Sequence, residues 1–137
     1  MKSRVIRPDP QREYFFAEGC FIEELCNSKD DPALSIARAR LEPGRTTRWH
    51  RLFPQTERYV ILAGEGVVEV EEVLAGAPAS SLAETVSAGD VVVIPPGSRQ
   101  RIRNSGREDL IFLALCTPRF LVRDYKDDDP APFPENC

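Results

Sequence analysis

The chain has 137 residues, of which 42% are hydrophobic and 29% charged, and its formal net charge is −4. This length suits one domain around one hydrophobic core and leaves no room for a second folded domain. The net negative charge disfavours a general nucleic-acid binder, because such proteins face phosphates with an excess of lysine and arginine.

Short runs rich in Val, Ile and Leu recur along the chain, and they follow a period of two rather than the helical period. Glycine- or proline-containing breaks separate the runs, and no amphipathic helix of ordinary length is indicated. Many short strands at close spacing predict an all-β protein, either a closed barrel or a sandwich. The predicted strands are residues 33–41, 57–63, 66–73, 90–95, 100–104 and 109–116.

Two segments lie outside this pattern. Residues 75–84 are small and polar, which predicts an extended loop between strands. Residues 127–137 combine acid and proline, which predicts a tail that is loose or lies along the surface. We therefore expect one domain at residues 1–126, followed by an acidic, proline-rich C-terminal tail.

The sequence shows no signal for a membrane or for export. No apolar run approaches the roughly 20 residues of a membrane-spanning helix, and the N-terminus lacks the apolar core of a signal peptide. The cysteines have neither CxxC spacing nor the density of a disulfide scaffold. These observations predict a cytoplasmic protein with no membrane partner and with free thiols at Cys20, Cys26, Cys116 and Cys137.

The single histidine of the chain lies in a stretch with specific spacing. Gly44, His50, Glu57 and Gly64 resemble the first motif of the cupin superfamily, G(X)5HXH(X)4E(X)6G. GDVVVIPPGSRQRIRN, residues 89–104, resembles the second motif of that family, G(X)5PXG(X)2H(X)3N. The two motifs together are more specific than either alone, and the chain resembles a small single-domain cupin.

The resemblance implies a double-stranded β-helix, or jelly-roll barrel, which is often dimeric and holds its site inside the barrel. Gly44, Gly64 and Gly97 fall where the chain reverses between strands, so positive φ is expected there. Metal-binding cupins commonly use two histidines and a glutamate from the first motif and a histidine from the second. Here Leu52 and Gln100 occupy two of the histidine positions.

Strand alternation indicates where the remaining candidates lie. Arg48 and His50 share one face, Glu57 and Tyr59 share a face of the next strand, and Gln100 lies on a later strand. If the family register holds, His50, Glu57 and Gln100 converge inside the barrel. Arg48 and Tyr59 then line the same cavity.

These three residues are the predicted metal ligands. An imidazole, a carboxylate and an amide oxygen can hold Fe, Mn, Ni or Zn and leave positions for water or substrate. The alternative is a metal-free barrel in which His50 hydrogen-bonds Glu57, a pair that needs no ion.

The run at residues 33–41 leaves one orientation open. Arg38 and Arg40 share one face, and Ala37 and Ala39 share the other. Small alanines inside the barrel would leave space for a ligand, whereas arginines inside would bind an anion. The outward orientation of the arginines is favoured, because an unpaired buried guanidinium is costly.

Two functions follow from these residues. The first is a metal-dependent enzyme of the dioxygenase, isomerase or epimerase type that acts on a small polar or carboxylated molecule. In it Arg48 orients the substrate anion and Tyr59 transfers a proton. The alternative is a metal-free, non-catalytic ligand-binding or sensor protein. In either case the resemblance, together with strand edges that need covering, predicts a homodimer.

Overall fold

The computed structural model describes residues 1–72 and 80–132. Within them the chain forms short strands, two single-turn 3₁₀ helices at Pro10–Arg12 and Val122–Asp124, and no α-helix. The strands are β1 (Tyr14–Phe16), β2 (Cys20–Cys26), β3 (Ser35–Leu41), β4 (His50–Leu52), β5 (Thr56–Ala63), β6 (Glu65–Glu72), β7 (Ser80–Ser87), β8 (Val91–Ile94), β9 (Arg99–Asn104), β10 (Leu110–Thr117) and β11 (Tyr125–Asp127).

The strands pair into two antiparallel sheets. One has the order β1-β2-β3-β10-β5-β8, and the other has the order β11-β4-β9-β6-β7. Neighbours such as β3 and β10, or β4 and β9, are far apart in sequence, so the chain crosses repeatedly from one sheet to the other. The fold is an all-β jelly-roll barrel, which confirms the predicted fold class.

The core lies between the two sheets because one face of each central strand is apolar. In β5 the burial alternates, so that Glu57, Tyr59 and Ile61 point inward while their neighbours face outward. Ile61 and Ile102 are each at most 1% exposed, and burial of one such side chain stabilises the fold by about 1.5–3 kcal/mol. The apolar residues of the period-two pattern are therefore the ones on the inner face of each sheet.

The six strands predicted from residues 33–116 are present as β3, β5, β6, β8, β9 and β10, with ends shifted by one or two residues and with Val73 outside the described residues. The predicted loop at residues 75–84 is wrong for residues 80–84, which form the start of β7. Their side chains are exposed, so they lack an alternating pattern, and the backbone ladder to β6 makes them a strand. Residues 75–79 of that predicted loop lie outside the described residues.

The C-terminal segment follows the surface rather than leaving it. Asp127 is the last residue of β11, which pairs with β4, so the ordered part extends past residue 126. The Asp128 amide then donates to the Trp49 carbonyl over 2.8 Å, and the Trp49 amide donates to Asp129 over 2.9 Å. Residues 127–132 therefore lie along the second sheet, while 133–137 are outside the described part.

Three of the turns predicted from glycine are confirmed by their backbone geometry. Gly44, Gly64 and Gly97 have φ of 78°, 87° and 77°. Gly64 also lies against the start of β10, where an added Cβ would come within 2.7 Å of the Asp109 carbonyl oxygen. Only glycine satisfies both conditions at this position.

Three cysteines in the described part of the chain, Cys20, Cys26 and Cys116, are free thiols as expected. Cys137 lies outside it. No helix found in residues 1–72 or 80–132 combines the length and apolar character needed to cross a membrane.

Candidate active site

A cavity opens between the two sheets, with a volume of about 60 Å³. Ala37 and Ala39 of β3 line it, and their small side chains leave part of this space. Arg38 and Arg40 point outward instead, and Arg40 Nη2 lies 2.6 Å from a carboxylate oxygen of Glu13. The outward orientation favoured from the sequence is therefore confirmed.

His50 is held rigidly on the cavity wall by β4. The side chain is buried, and its ring stacks on Tyr125 with centroids 5.2 Å apart. Its Nδ1 atom lies 2.7 Å from the Arg48 carbonyl oxygen. Because a carbonyl oxygen only accepts hydrogen bonds, Nδ1 must donate, and Nε2 is the ring nitrogen left for chemistry.

Glu18 faces that nitrogen, and sequence reasoning missed it. Its Oε2 atom lies 3.2 Å from His50 Nε2, and its Oε1 atom accepts from the Cys20 thiol over 3.0 Å. Glu18 lies in the turn between β1 and β2, where the Arg48 amide donates to its carbonyl oxygen over 2.7 Å. No motif marks this glutamate, so only the packing of that turn on β4 identifies it.

Glu57 lies on β5 and also lines the cavity. Its Oε2 atom accepts a long hydrogen bond of 3.6 Å from the Cys116 thiol, whereas its Oε1 atom is buried without a partner among the described residues. Burial raises the pKa of the Glu57 carboxyl, and the nearby His50 and Gln100 side chains oppose this shift only in part. The protonated acid is therefore favoured over a wider pH range than usual.

Gln100 and Tyr59 form a buried pair beside Glu57. The Tyr59 hydroxyl donates to Gln100 Oε1 over 2.7 Å. Gln100 is also the cross-strand partner of His50 between β4 and β9. Burial, reinforced by the nearby Glu57, raises the pKa of Tyr59 well above its ordinary value, so this hydroxyl keeps its proton.

The structure thus brings together most of the residues predicted from the sequence. His50, Glu57 and Tyr59 line the cavity, and Gln100 lies behind the Tyr59 hydroxyl. Arg48 does not line this cavity, because its guanidinium turns to the C-terminal segment, with Nε 2.8 Å from Asp127 Oδ1. The alternation assumed for Arg48 does not apply, since β4 begins only at His50.

Tyr125 is a second cavity residue that sequence reasoning missed. It comes from β11, and its hydroxyl oxygen is buried with no hydrogen-bond partner in the described part of the chain. Burial raises the pKa of Tyr125, so the hydroxyl remains protonated. Tyr125 lies two residues before the predicted tail, so the C-terminal end of the predicted domain supplies a wall of the site.

The side chains around the cavity differ from the donor set of the metal site that the family resemblance implies. Residues 1–72 and 80–132 contain no group of three or more His, Cys, Asp or Glu side chains placed to hold an ion. The predicted amide ligand is also engaged, because Gln100 Oε1 accepts the Tyr59 hydroxyl. In this arrangement the residues present do not fit a resident metal ion.

Two antiparallel sheets closed around one lined cavity define a jelly-roll barrel protein. Residues 37–116, more than half of the chain, match the family described as the cupin domain. The protein therefore belongs to the cupin family, as the two motifs predicted.

The chain is also similar in sequence or fold to other proteins. An uncharacterized protein of Methanocaldococcus jannaschii is 27% identical over 118 residues, which cover 85% of this chain and 87% of that protein. A predicted oxalate decarboxylase of Thermotoga maritima is 27% identical with a TM-score of 0.68, over 84% of this chain and 99% of that chain.

The oxalate decarboxylase of Lactobacillus farciminis, in complex with formate, is 24% identical with a TM-score of 0.71, over 84% of this chain. The match spans only 32% of the Lactobacillus chain. This likeness therefore shows a shared fold.

Proposed function

We propose that this cupin is an enzyme that transfers protons on a small molecule with its own side chains, as in an isomerisation or an elimination of water. One observation carries the proposal: a buried carboxyl with an unpartnered oxygen, that of Glu57, lines the same small cavity as the His50–Glu18 pair. Such a site offers an acid and a base to one bound molecule.

His50 Nε2 is the base in this proposal. Its orientation is set by the Arg48 carbonyl, and Glu18 stabilises the positive charge that develops when Nε2 accepts a proton. Glu57 is the acid, because burial favours its protonated form. Tyr59 remains a predicted catalytic residue. Its hydroxyl orients the Gln100 amide beside Glu57.

The cavity limits the substrate by size and by charge. At about 10–15 Å³ for each water-sized group, a volume of about 60 Å³ holds a molecule of roughly four to six non-hydrogen atoms. Glu18, Glu24 and Glu57 line the cavity, and the lining described contains no lysine or arginine. A carboxylated substrate, one of the two predicted classes, is therefore disfavoured against a neutral or cationic one.

The acidic lining of the cavity also disfavours oxalate decarboxylation, the activity given for two of the similar structures. Decarboxylation of oxalate requires a place for a dianion. Arg48, the residue predicted to orient a substrate anion, is engaged by Asp127 outside the cavity. Oxalate is therefore disfavoured as a substrate of this protein.

A hydrogen-exchange experiment tests the proposal. The purified protein is incubated in D2O with acetone, hydroxyacetone and aminoacetone, and NMR follows the exchange of protons next to the carbonyl. We expect faster exchange of at least one compound, with a loss of about 100-fold in His50→Gln and in Glu57→Gln. The exposed Glu84 provides the matched control Glu84→Gln, which makes the same substitution outside the cavity.

Two other outcomes identify the alternatives. Binding of these compounds without exchange would indicate the non-catalytic ligand-binding protein. Exchange that is lost after chelation and restored by iron, manganese, nickel or zinc would indicate the metal-dependent enzyme. In that enzyme His50, Glu57 and Gln100 would hold the ion after the Gln100 amide reoriented away from Tyr59.

A further inference from the structure

The lining of the cavity includes six aromatic side chains. They come from both sheets and from the segment after β10, and the hydroxyls of Tyr59 and Tyr125 are buried. The rings are those of Tyr14, Phe16, Tyr59, Phe112, Phe120 and Tyr125. The electron-rich face of an aromatic ring attracts cations, so a space surrounded by rings favours a positively charged ligand.

The carboxyl groups of the lining have the same preference, and the basic side chain of the lining, His50, faces one of them. Glu57 lies within the wall, Glu18 beside His50, and Glu24 at the exposed edge, where its Oε1 atom accepts from Asn27 over 3.2 Å. The chain has 18 lysines and arginines, yet none is among the described residues of this lining. Nearby arginines such as Arg38 and Arg40 point outward to Glu13.

Two buried polar atoms of the lining residues lack a protein partner in the described part of the chain. They are Oε1 of Glu57 and the hydroxyl oxygen of Tyr125. Glu57 is only 9% exposed, and an unsatisfied buried polar atom costs about 1–3 kcal/mol. Both atoms can accept hydrogen bonds, so a ligand with N–H donors would satisfy both of them.

We propose that the ligand of this cavity is a small organic cation with a primary ammonium group. The ammonium donates hydrogen bonds to Glu57 Oε1 and Tyr125 Oη. Its positive charge favours the ionised carboxylate of Glu57 over the protonated acid that burial favours without the cation. The proposal rests on the proposed function in that both concern the same cavity. It adds the substrate class, which the acid–base assignment does not specify.

Calorimetric titration with three probes of equal size tests the charge preference. Isopropylammonium, isopropanol and acetate have the same number of non-hydrogen atoms, and they are positive, neutral and negative. We expect isopropylammonium to bind at least 10-fold more tightly than either of the others. Tighter binding of isopropanol or acetate would overturn the inference while leaving a small-molecule site, and therefore the proposed function, in place.

Variants tie the binding to the two unpartnered atoms. Glu57→Gln should weaken isopropylammonium binding by 10-fold or more and leave isopropanol nearly unchanged. Tyr125→Phe, which removes only the hydroxyl, should weaken it several-fold. Glu84→Gln should bind like the natural protein, which separates the local carboxylate from a change in net charge.

The remaining outcomes also decide the matter. If Glu84→Gln and Glu57→Gln weakened isopropylammonium binding equally, the effect would be one of net charge rather than of a local contact. That result would overturn the inference. Absence of binding by all three probes, even at high concentration, would contradict the cavity as a ligand site and with it the proposed function. Retention of tight binding in both Glu57→Gln and Tyr125→Phe would place the ammonium elsewhere.

Discussion

His50 Nε2 lies 3.2 Å from Oε2 of Glu18, a residue outside both cupin motifs. A hydrogen bond between these atoms requires one proton, because Nδ1 already donates to the Arg48 carbonyl. The turn between β1 and β2 thus supplies the carboxyl group that faces the proposed base, His50 of β4. This relationship makes Glu18 a positioning residue for His50.

Replacement of Glu18 should reduce proton abstraction without removing the base itself. In Glu18→Gln the amide can still hydrogen-bond Nε2, but it carries no charge to stabilise the imidazolium that forms. We expect exchange of the best carbonyl substrate to fall by about 10-fold or more, mainly through kcat. NMR exchange rates at several substrate concentrations would measure this, and an unchanged rate would show that Glu18 has no role in catalysis.

Glu57 should make stability depend on pH. Burial raises its pKa from the ordinary value of 4.5, so the native state binds the proton more tightly than the unfolded chain does. The stability contributed by the protonated form is fully present below about 4.5 and is lost as the pH rises through the native pKa. Glu57→Gln cannot ionise, so it should become more stable relative to the natural protein over that range.

Urea unfolding at a series of pH values from 4 to 8 measures this difference. Glu84→Gln should follow the natural protein, because the Glu84 side chain is exposed. A constant difference between Glu57→Gln and the natural protein across the series would contradict the raised pKa.

Gly64 should tolerate alanine less well than another glycine of similar backbone conformation. Gly64 and Gly89 have φ of 87° and 94°, so an alanine at either position costs about 1–2 kcal/mol. At Gly64 the new Cβ would also meet the Asp109 carbonyl oxygen at 2.7 Å, whereas it has open space at Gly89. We expect Gly64→Ala to lower the free energy of unfolding by about 1–3 kcal/mol more than Gly89→Ala does. Equal losses in urea unfolding would show that the turn moves freely away from β10.

Metal binding should be weak in the natural protein and gained by one substitution. Gln100→His supplies a second imidazole next to His50 and removes the amide that accepts the Tyr59 hydroxyl. We expect this variant to bind nickel or zinc at least 10-fold more tightly, with affinity falling as the pH drops, because protons compete with the metal for the imidazoles.

Calorimetry with nickel and zinc between pH 5.5 and 8 measures these affinities. His50→Ala serves as the control that removes the native imidazole and should abolish any binding. Tight binding by the natural protein that His50→Ala abolishes would instead support the metal-dependent enzyme.

The homodimer remains a prediction, and the outer face of β5 and β8 offers a place for it. Leu62, Val91 and Val93 are 47%, 58% and 61% exposed there, and β8 is the last strand of its sheet. Light scattering should report twice the chain mass, and a Val91→Lys, Val93→Lys double variant should shift it toward the monomer. Leu82→Lys on β7 is the control. A monomeric natural protein would reject the prediction.

Much of the barrel was determined by the sequence itself, because its signals are local. Alternation identifies β5 and β10 as strands with one buried face, and the glycines at 44, 64 and 97 mark the reversals between strands. These features depend on residues next to each other in the chain. The beginning of β7 could not be predicted in this way, since both faces of residues 80–84 are exposed and only pairing with β6 makes them a strand.

The candidate site divides along the same line. His50 and Glu57 could be placed from the sequence, because strand register carries their side chains into the barrel. Glu18 and Tyr125 could not, because a turn and a C-terminal strand bring them to His50 from 32 residues before it and 75 after it, by contacts that no local pattern records. Arg48 was misplaced for a related reason: whether alternation extends beyond His50 depends on where β4 begins to pair. Local periodicity determines which face of a strand is buried, whereas only tertiary packing decides which distant residues meet across the cavity.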